Sequence, residues 1–157
     1  MTSISPCLWF DDNLEEALEL YTSIFPRSSV GNVSRYGEVG PGTPGTVMAA
    51  DFELDGLGFR AINGGPQYHF TEAVSFSVSC KDQAEVDHYW GALCEGGQEG
   101  QCGWLKDRFG LSWQIIPVQL FELMSDPDPA RAQRVTKAML GMKKIVVPEL
   151  QAAADAG

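Results

Sequence analysis

The sequence is poor in the residues that mark several common classes of protein. Its 157 residues include only two histidines, and 11 basic residues stand against 21 acidic ones, giving a formal net charge of −10. This charge opposes binding of the whole surface to nucleic acid or to an anionic membrane. The apolar runs are only a few residues long, too short to span a bilayer. We therefore expect neither a nucleic-acid partner nor a membrane partner.

The cysteines and the first residues both indicate a cytoplasmic protein. Cys7, Cys80, Cys94 and Cys102 share no CxxC spacing. The N-terminus has no basic patch and reaches an acidic pair, Asp11-Asp12, within a few residues, so no signal peptide is predicted. In a reducing compartment we expect no disulfide bonds.

One pattern of strands and a helix occurs twice along the chain. The first copy predicts strands at Ile4–Phe10, Val30–Tyr36, Thr46–Leu54 and Leu57–Asn63, with a helix after an N-cap at Asp12. The second copy predicts strands at Val74–Cys80, Gln98–Lys106 and Leu111–Pro117, with a helix after an N-cap at Asp82. Asp55-Gly56 is a hairpin signal in the first copy, and Asp107–Gly110 forms a turn in the second.

The repeat, offset by about 70 residues, predicts the fold class. We expect an α+β fold of two βαβββ modules, module one at 1–66 and module two at 73–117, making one domain at 1–117 around a common concavity. An α+β sandwich whose halves match by chance is the alternative. Residues 118–157 are predicted to be a C-terminal helical extension, with a helix starting near Asp128-Pro129. We expect this extension to pack on the body or on a second subunit; a basic arm that binds nucleic acid is the alternative.

Several blocks of sequence, in order, resemble the PhnB-like family of the glyoxalase/bleomycin resistance (vicinal oxygen chelate, VOC) superfamily. The blocks are Pro6–Asp11, Tyr21–Pro26, Asn63–Pro66, Cys102–Asp107, Phe109–Gln114, Ser125–Pro129 and Met139–Lys144. Members are often labelled 3-demethylubiquinone-9 3-methyltransferases. The resemblance implies the glyoxalase/bleomycin resistance-like fold of paired βαβββ modules, each forming an open sheet around a cavity, usually in a homodimer.

The resemblance also implies a divalent metal held by His and Glu side chains on the first and last strands of each module. The closing-strand pattern of the superfamily falls on Asp107, Gly110 and Gln114, so that an amide stands at the position of the carboxylate ligand. An amide is a weak ligand for a transition metal. The segment after Phe10 contains no glycine, so no S-adenosylmethionine loop is predicted either. We therefore predict neither a metal nor another cofactor, and the catalytic residues stay unknown.

The remaining residues suggest a binding pocket. Aromatic side chains on the predicted strands and the connecting loop, together with a few polar groups and one thiol, have the usual make-up of a small-molecule site. These candidates are Trp9, Phe59, Asn63, Phe70, Ser77, Cys102, Trp104, Trp113 and Gln114. For each aromatic residue, packing in the core is the alternative.

Three functional hypotheses follow from the sequence. The first is a metal-independent protein that binds a small, partly apolar or aromatic molecule in the sheet cavity, as a homodimer. The second is an enzyme of the same superfamily, an isomerase, lyase or transferase, that needs no metal or holds one through non-standard ligands. The third is a dimeric interaction protein whose C-terminal tail docks a partner.

Overall fold

The computed structural model describes all 157 residues, which form two compact units, Met1–Phe70 and Thr71–Gly157. The first unit contains β1 (Cys7–Phe10), α1 (Leu14–Ile24), β2 (Ser29–Arg35), β3 (Val47–Leu54) and β4 (Leu57–Asn63). The second contains β5 (Ser75–Cys80), α2 (Gln83–Cys94), β6 (Gln98–Glu99), β7 (Trp104–Lys106), β8 (Ser112–Pro117), α3 (Val118–Met124), α4 (Pro129–Leu140) and α5 (Val147–Asp155).

The two sheets have the same topology, which confirms the predicted pair of βαβββ modules followed by C-terminal helices. The first sheet has the strand order β1-β4-β3-β2 and the second has the order β5-β8-β7-β6. In each sheet the first and last strands of the module are parallel neighbours, and the other pairings are antiparallel. The repeat in the sequence therefore corresponds to a repeat in the fold.

Each sheet buries one face and leaves the other, which we call the open face, away from its helix. In the first unit, Leu8, Phe10 and Ala61 are buried among the apolar residues of α1. In the second unit, Leu105 and Ile115 are buried on the side of α2. Because side chains alternate along a strand, their sequence neighbours lie on the open faces, although the C-terminal extension covers the end of the second one at Ile116.

The start of α1 differs from the prediction of an N-cap at Asp12. The N-cap position is Asn13, whose side chain makes no capping hydrogen bond. Instead, Oδ1 of Asn63, at the end of β4, accepts from the backbone N–H of Leu14 at 3.0 Å. The cap thus comes from a strand 49 residues away, which local sequence patterns do not reveal. At α2 the prediction is confirmed, because Asp82 Oδ1 accepts from Glu85 N at 2.9 Å.

The predicted strand at Gln98–Lys106 is wrong, because two short strands, β6 and β7, flank a turn. In this turn Cys102 and Gly103 have positive φ angles of 56° and 84°. Their N–H groups donate to Met142 O and Lys143 O, both at 2.8 Å. The turn therefore binds the C-terminal extension instead of continuing the sheet.

The C-terminal extension packs around its own apolar cluster within the second unit. The buried members of the cluster are Ile116, Leu120, Val135, Met142, Ile145, Leu150 and Ala154. Arg134 donates to the backbone oxygens of Ala153 and Ala154 at 3.1 and 2.8 Å, which supplies partners for carbonyls at the end of α5. The longest helices have 12 residues, and none of the five is both long and apolar enough to cross a membrane.

Candidate functional site

The open face of the first sheet carries Cys7 and Trp9 from β1, and Arg60 and Ile62 from β4. Cys7 lies opposite Arg60, and Trp9 lies opposite Ile62, in the parallel register of these strands. Arg60 Nε is 3.5 Å from a carboxylate oxygen of Asp51 on β3. On this face, β1 and β4 therefore contribute one charged side chain, which is already paired, and one aromatic side chain, Trp9.

Trp9 is half-buried and held from several sides. Its indole Nε1 donates to Gly65 O at 2.8 Å, and the ring of Tyr68 meets it edge-on with centroids 5.0 Å apart. A Cβ added to Gly64 would come within 2.4 Å of the indole, so only glycine permits this approach. The Gly64-Gly65 pair thus fixes the orientation of the Trp9 ring.

Two other predicted site residues in the first unit lie on the helix side of the sheet. Phe59 is 4% exposed and stacks on Phe52, with centroids 5.0 Å apart and planes 13° from parallel. Asn63 accepts from Leu14 N and donates through Nδ2 to Val47 O at 3.0 Å, so it connects β4, α1 and β3. Both side chains hold the module together and do not face the open surface.

Phe70, the last predicted site residue of the first unit, lies in the loop after β4. It is half-buried, and its ring meets Phe10 edge-on at 5.3 Å. Because Phe10 belongs to the buried face, Phe70 covers the edge of the core.

Trp113 in the second unit is also a core residue. It is 3% exposed, and its ring lies 5.7 Å from that of Phe76. Its Nε1 donates to Oδ2 of the buried Asp107 at 2.9 Å. Oδ1 of Asp107 accepts from the N–H groups of Phe109 and Leu111 at 2.9 and 3.1 Å. Both oxygens of this carboxylate therefore accept hydrogen bonds that stabilise the turn before β8.

Three of the predicted residues come together in one row across the open face of the second sheet. Gln114 on β8 lies directly opposite Ser77 on β5 and Trp104 on β7. Gln114 and Trp104 are half-buried, and Ser77 is exposed. Gln114 Nε2 donates to Ser75 Oγ at 2.9 Å, which orients the amide. An indole, an amide and a hydroxyl therefore share one surface, with no charged group in the row.

A second row, which the sequence analysis did not single out, lies beside the first. It contains Ser75, Ser112 and Lys106, again opposite one another in register. Lys106 forms an ion pair with Glu72, and this contact lowers the pKa of the Glu72 carboxyl. The sequence did contain a signal for this row, because Lys106 and Ser112 each lie two residues from a predicted site residue on the same strand and so on the same face.

A cavity of about 240 Å³ lies at this edge of the second sheet. Its wall includes Trp104, Lys106, Ser112 and Glu72. Ser112 is fully buried, and its Oγ has no hydrogen-bond partner in the chain. The cavity therefore joins an aromatic surface to polar groups whose hydrogen-bonding capacity is not all used.

Cys102, the remaining predicted site residue, lies in the turn between β6 and β7 and is half-buried. All four cysteines are free thiols. Burial raises the pKa of Cys80 to about 12 and that of Cys94 to about 11, so both stay protonated at neutral pH. Thiolate chemistry at these two positions is disfavoured.

The residues present do not fit the metal that the superfamily resemblance implies. On the open faces, the first and last strands offer Cys7, Trp9, Arg60 and Ile62 in one sheet and serines with Gln114 in the other. No group of three or more His, Cys, Asp or Glu side chains is placed to hold a metal ion. His69 and His88 are both exposed. A neutral amide and hydroxyls do not form a transition-metal site.

The end of β1 lacks the glycine-rich loop that often holds S-adenosylmethionine, because Phe10 is followed by Asp11-Asp12-Asn13-Leu14. A cavity of about 400 Å³ lies there, and its wall includes Asp11, Asp12 and Glu15. Three carboxylates beside the start of α1 disfavour a phosphate or another anionic group there.

Solved structures with a similar fold identify the class of protein to which the chain belongs. Among solved structures, the chain is similar in fold to the fosfomycin resistance protein FosX from Listeria monocytogenes, with a TM-score of 0.56 and 15% identity over 77% of this chain and 94% of that one. Protein PA1353 from Pseudomonas aeruginosa matches with a TM-score of 0.62 and 21% identity over 74% of this chain and 98% of that one. The chain thus has the vicinal oxygen chelate fold.

The family is established by a closer match. The family model described as 3-demethylubiquinone-9 3-methyltransferase matches residues 2–116. A PhnB protein from Bacillus cereus is 35% identical, with a TM-score of 0.69 over 74% of this chain and all of that one. The chain belongs to this PhnB-like family. No curated protein sequence matches it.

Proposed function

We propose that this chain is a PhnB-like protein that binds a small, partly apolar or aromatic molecule without a metal. The observation that carries the proposal is the row of Ser77, Gln114 and Trp104 on the open face of the second sheet. An aromatic ring with a few oriented polar groups is typical of small-molecule sites. Trp9, on the open face of the first sheet, supplies a second aromatic surface.

The proposal includes a homodimer. The support for it is the edge strand β2, all of whose residues are exposed, with Val30 and Val33 at 45% and 44%. An unpaired edge strand with apolar side chains is a surface that a second chain can cover. Native mass spectrometry should then report twice the mass of the chain. A monomer at micromolar concentration would contradict this part of the proposal.

The proposal also places the protein in the cytoplasm. Its support is the four free thiols, none of which forms a disulfide bond. Such cysteine usage is typical of a reducing compartment. Fractionation of cells that express the tagged protein would test the assignment, and recovery from a membrane or secreted fraction would contradict it.

Ligand binding is tested by thermal shift and native mass spectrometry against a panel of single-ring aromatic compounds. We expect at least one compound to raise the melting temperature and to appear as a mass adduct. The variants Trp104→Ala and Gln114→Ala should lose most of this shift, while Gln101→Ala, an exposed substitution off the row, should keep it. If no compound binds, the proposal fails.

Elemental analysis separates this proposal from the enzyme hypothesis. Protein purified without chelator should contain no stoichiometric transition metal. Zinc, iron or manganese at one ion per chain, lost in Gln114→Ala, would favour a metal-dependent isomerase, lyase or transferase of the superfamily. Methyltransferase activity is not part of the proposal, because the segment after Phe10 has no glycine-rich loop for S-adenosylmethionine.

A further inference from the structure

The cavity beside Trp104 has a feature that the chain's own packing does not explain. Ser112 is 0% exposed, and its Oγ has no partner. Buried hydroxyls are nearly always hydrogen-bonded, because an unpaired one has lost its water without compensation. An alanine at this position would avoid that cost. The hydroxyl therefore points to a partner that is not part of the chain.

The neighbouring Lys106 also has more N–H donors than its one carboxylate partner requires. An ammonium group has three N–H donors, and Glu72 is the one carboxylate paired with it. Lys106 lies directly across from Ser112 in the β7–β8 register, so the two side chains leave the sheet about 5 Å apart. One oxygen atom of a ligand can accept from both groups.

The charged side chains around the cavity are already paired with one another, which disfavours an anionic ligand. Glu99 already accepts from Trp90 Nε1 at 3.2 Å and pairs with Lys143 at 3.5 Å. A carboxylate ligand would compete with Glu72 for Lys106, because the other lysine, Lys143, is already paired with Glu99. A neutral oxygen acceptor avoids this competition.

The size of the cavity limits the rest of the ligand. A dry cavity of about 150 Å³ can hold one benzene molecule. The volume of about 240 Å³ found here thus suits a single ring with a short substituent. The Trp104 indole in the wall offers a flat surface for that ring.

We propose that this cavity binds a neutral aromatic carbonyl compound, whose ring contacts Trp104 and whose carbonyl oxygen accepts hydrogen bonds from Ser112 Oγ and Lys106 Nζ. This inference rests on the proposed function and specifies its ligand class. It assigns Ser112 and Lys106 as specificity-determining residues.

The test uses three probes of similar size: acetophenone, ethylbenzene, which lacks the oxygen, and benzoate, which is charged. Binding to the ¹⁵N-labelled protein is followed by chemical shifts of the four tryptophan indoles. We expect acetophenone to shift Trp104 and to bind about tenfold more tightly than either other probe. Ser112→Ala and Lys106→Met should each weaken acetophenone binding about five- to tenfold. Ser23→Ala and Lys137→Met, which lie elsewhere, should leave it unchanged.

The thermal stability of Ser112→Ala adds a readout that a purely structural serine would not give. Because its hydroxyl has no partner in the free protein, the variant should melt at or above the wild-type temperature while binding acetophenone less tightly. A lowered melting temperature with unchanged binding would overturn the role assigned to Ser112.

The outcomes also separate this inference from the proposed function. Equal binding of acetophenone and ethylbenzene, or tighter binding of benzoate, would overturn the carbonyl preference. Shifts confined to Trp9 would move the site to the first sheet, so that this inference fails while small-molecule binding stands. If no ring compound binds at either tryptophan, both proposals fail.

Discussion

The two modules have the same strand order but stabilise equivalent points of that order with different residues. Each places an aspartate in the turn before its last strand. Asp107 is buried and accepts three hydrogen bonds, whereas Asp55 is exposed and pairs with Arg27. At the helix starts, Asn63 reaches α1 from a distant strand, whereas Asp82 caps α2 locally. The shared strand order therefore determines which turns and helix starts need stabilising contacts, but different residues can supply those contacts.

The largest difference is expected between the two turn aspartates. Asp107→Asn replaces a carboxylate oxygen by an NH₂ group that cannot accept from these donors, and we expect a loss of about 3 kcal/mol in the free energy of unfolding. Asp55→Asn tolerates the same positive φ of 48° and breaks only an exposed ion pair, so its cost should stay below about 0.5 kcal/mol. Urea unfolding followed by tryptophan fluorescence measures both. Similar costs for the two variants would contradict the comparison.

The first strands of the modules differ in the reactivity of their cysteines. Cys7 is exposed on β1, whereas Cys80 is buried at the end of β5 with its pKa raised to about 12. At pH 8 the thiolate fraction of Cys80 should be about three orders of magnitude below that of an ordinary cysteine. Alkylation by iodoacetamide, read by peptide mass spectrometry, should thus modify Cys7 long before Cys80. Equal rates would show that the second module opens readily.

The two helix caps provide a smaller test. Asn63→Ala removes the partners of Leu14 N and Val47 O together, and we expect a cost of about 2 kcal/mol. Asp82→Ala removes one local cap and should cost about 1 kcal/mol. Unfolding in urea again gives both values. A larger cost for Asp82→Ala than for Asn63→Ala would contradict this order.

The smallest effect is expected in acid, at the C-terminal extension. Asp126 has a lowered pKa because Asp128 N–H and then Arg131 donate to it, and Asp155 has one because Gln151 and then Arg131 do. A carboxyl whose pKa is lower in the folded state contributes stability above its ordinary pKa. That contribution is lost as the pH falls from about 4 towards the lowered value. Arg131→Met should therefore flatten the fall in stability between about pH 5 and pH 3.

The control for this prediction is Arg27→Met in the first module, which removes an ion pair whose side chains are 76% and 52% exposed. We expect little change in its acid profile, because exposed pairs contribute little. Thermal melts at several pH values give both profiles. Identical profiles for the two variants would mean that the extension does not depend on these contacts.

Local patterns in the sequence were sufficient to predict the repeat, the Asp55-Gly56 hairpin and the Asp82 cap. They failed where a distant segment decides the structure. The cap from Asn63 and the turn at Cys102 and Gly103 depend on contacts 49 and about 40 residues away along the chain. Such contacts leave no periodic signal.

The candidate site was only partly predictable, for a related reason. Trp113 and Gln114 were both proposed as cavity residues, yet adjacent residues of a strand point to opposite faces. Period-two alternation cannot say which face a helix will cover. The structure places Trp113 with the core and Gln114 on the open face, and Phe59 and Asn63 also lie on the helix side.

The apolar cluster of the C-terminal extension begins inside the segment that matches the family model and ends far beyond it. The family match ends at residue 116, but Ile116 itself belongs to a cluster that continues to Ala154. A shortened protein that stops at Pro117 would expose this isoleucine and leave the Cys102 and Gly103 donors without Met142 and Lys143. We expect such a protein to be prone to aggregation, so the minimal soluble fragment of this protein extends well beyond its recognisable domain.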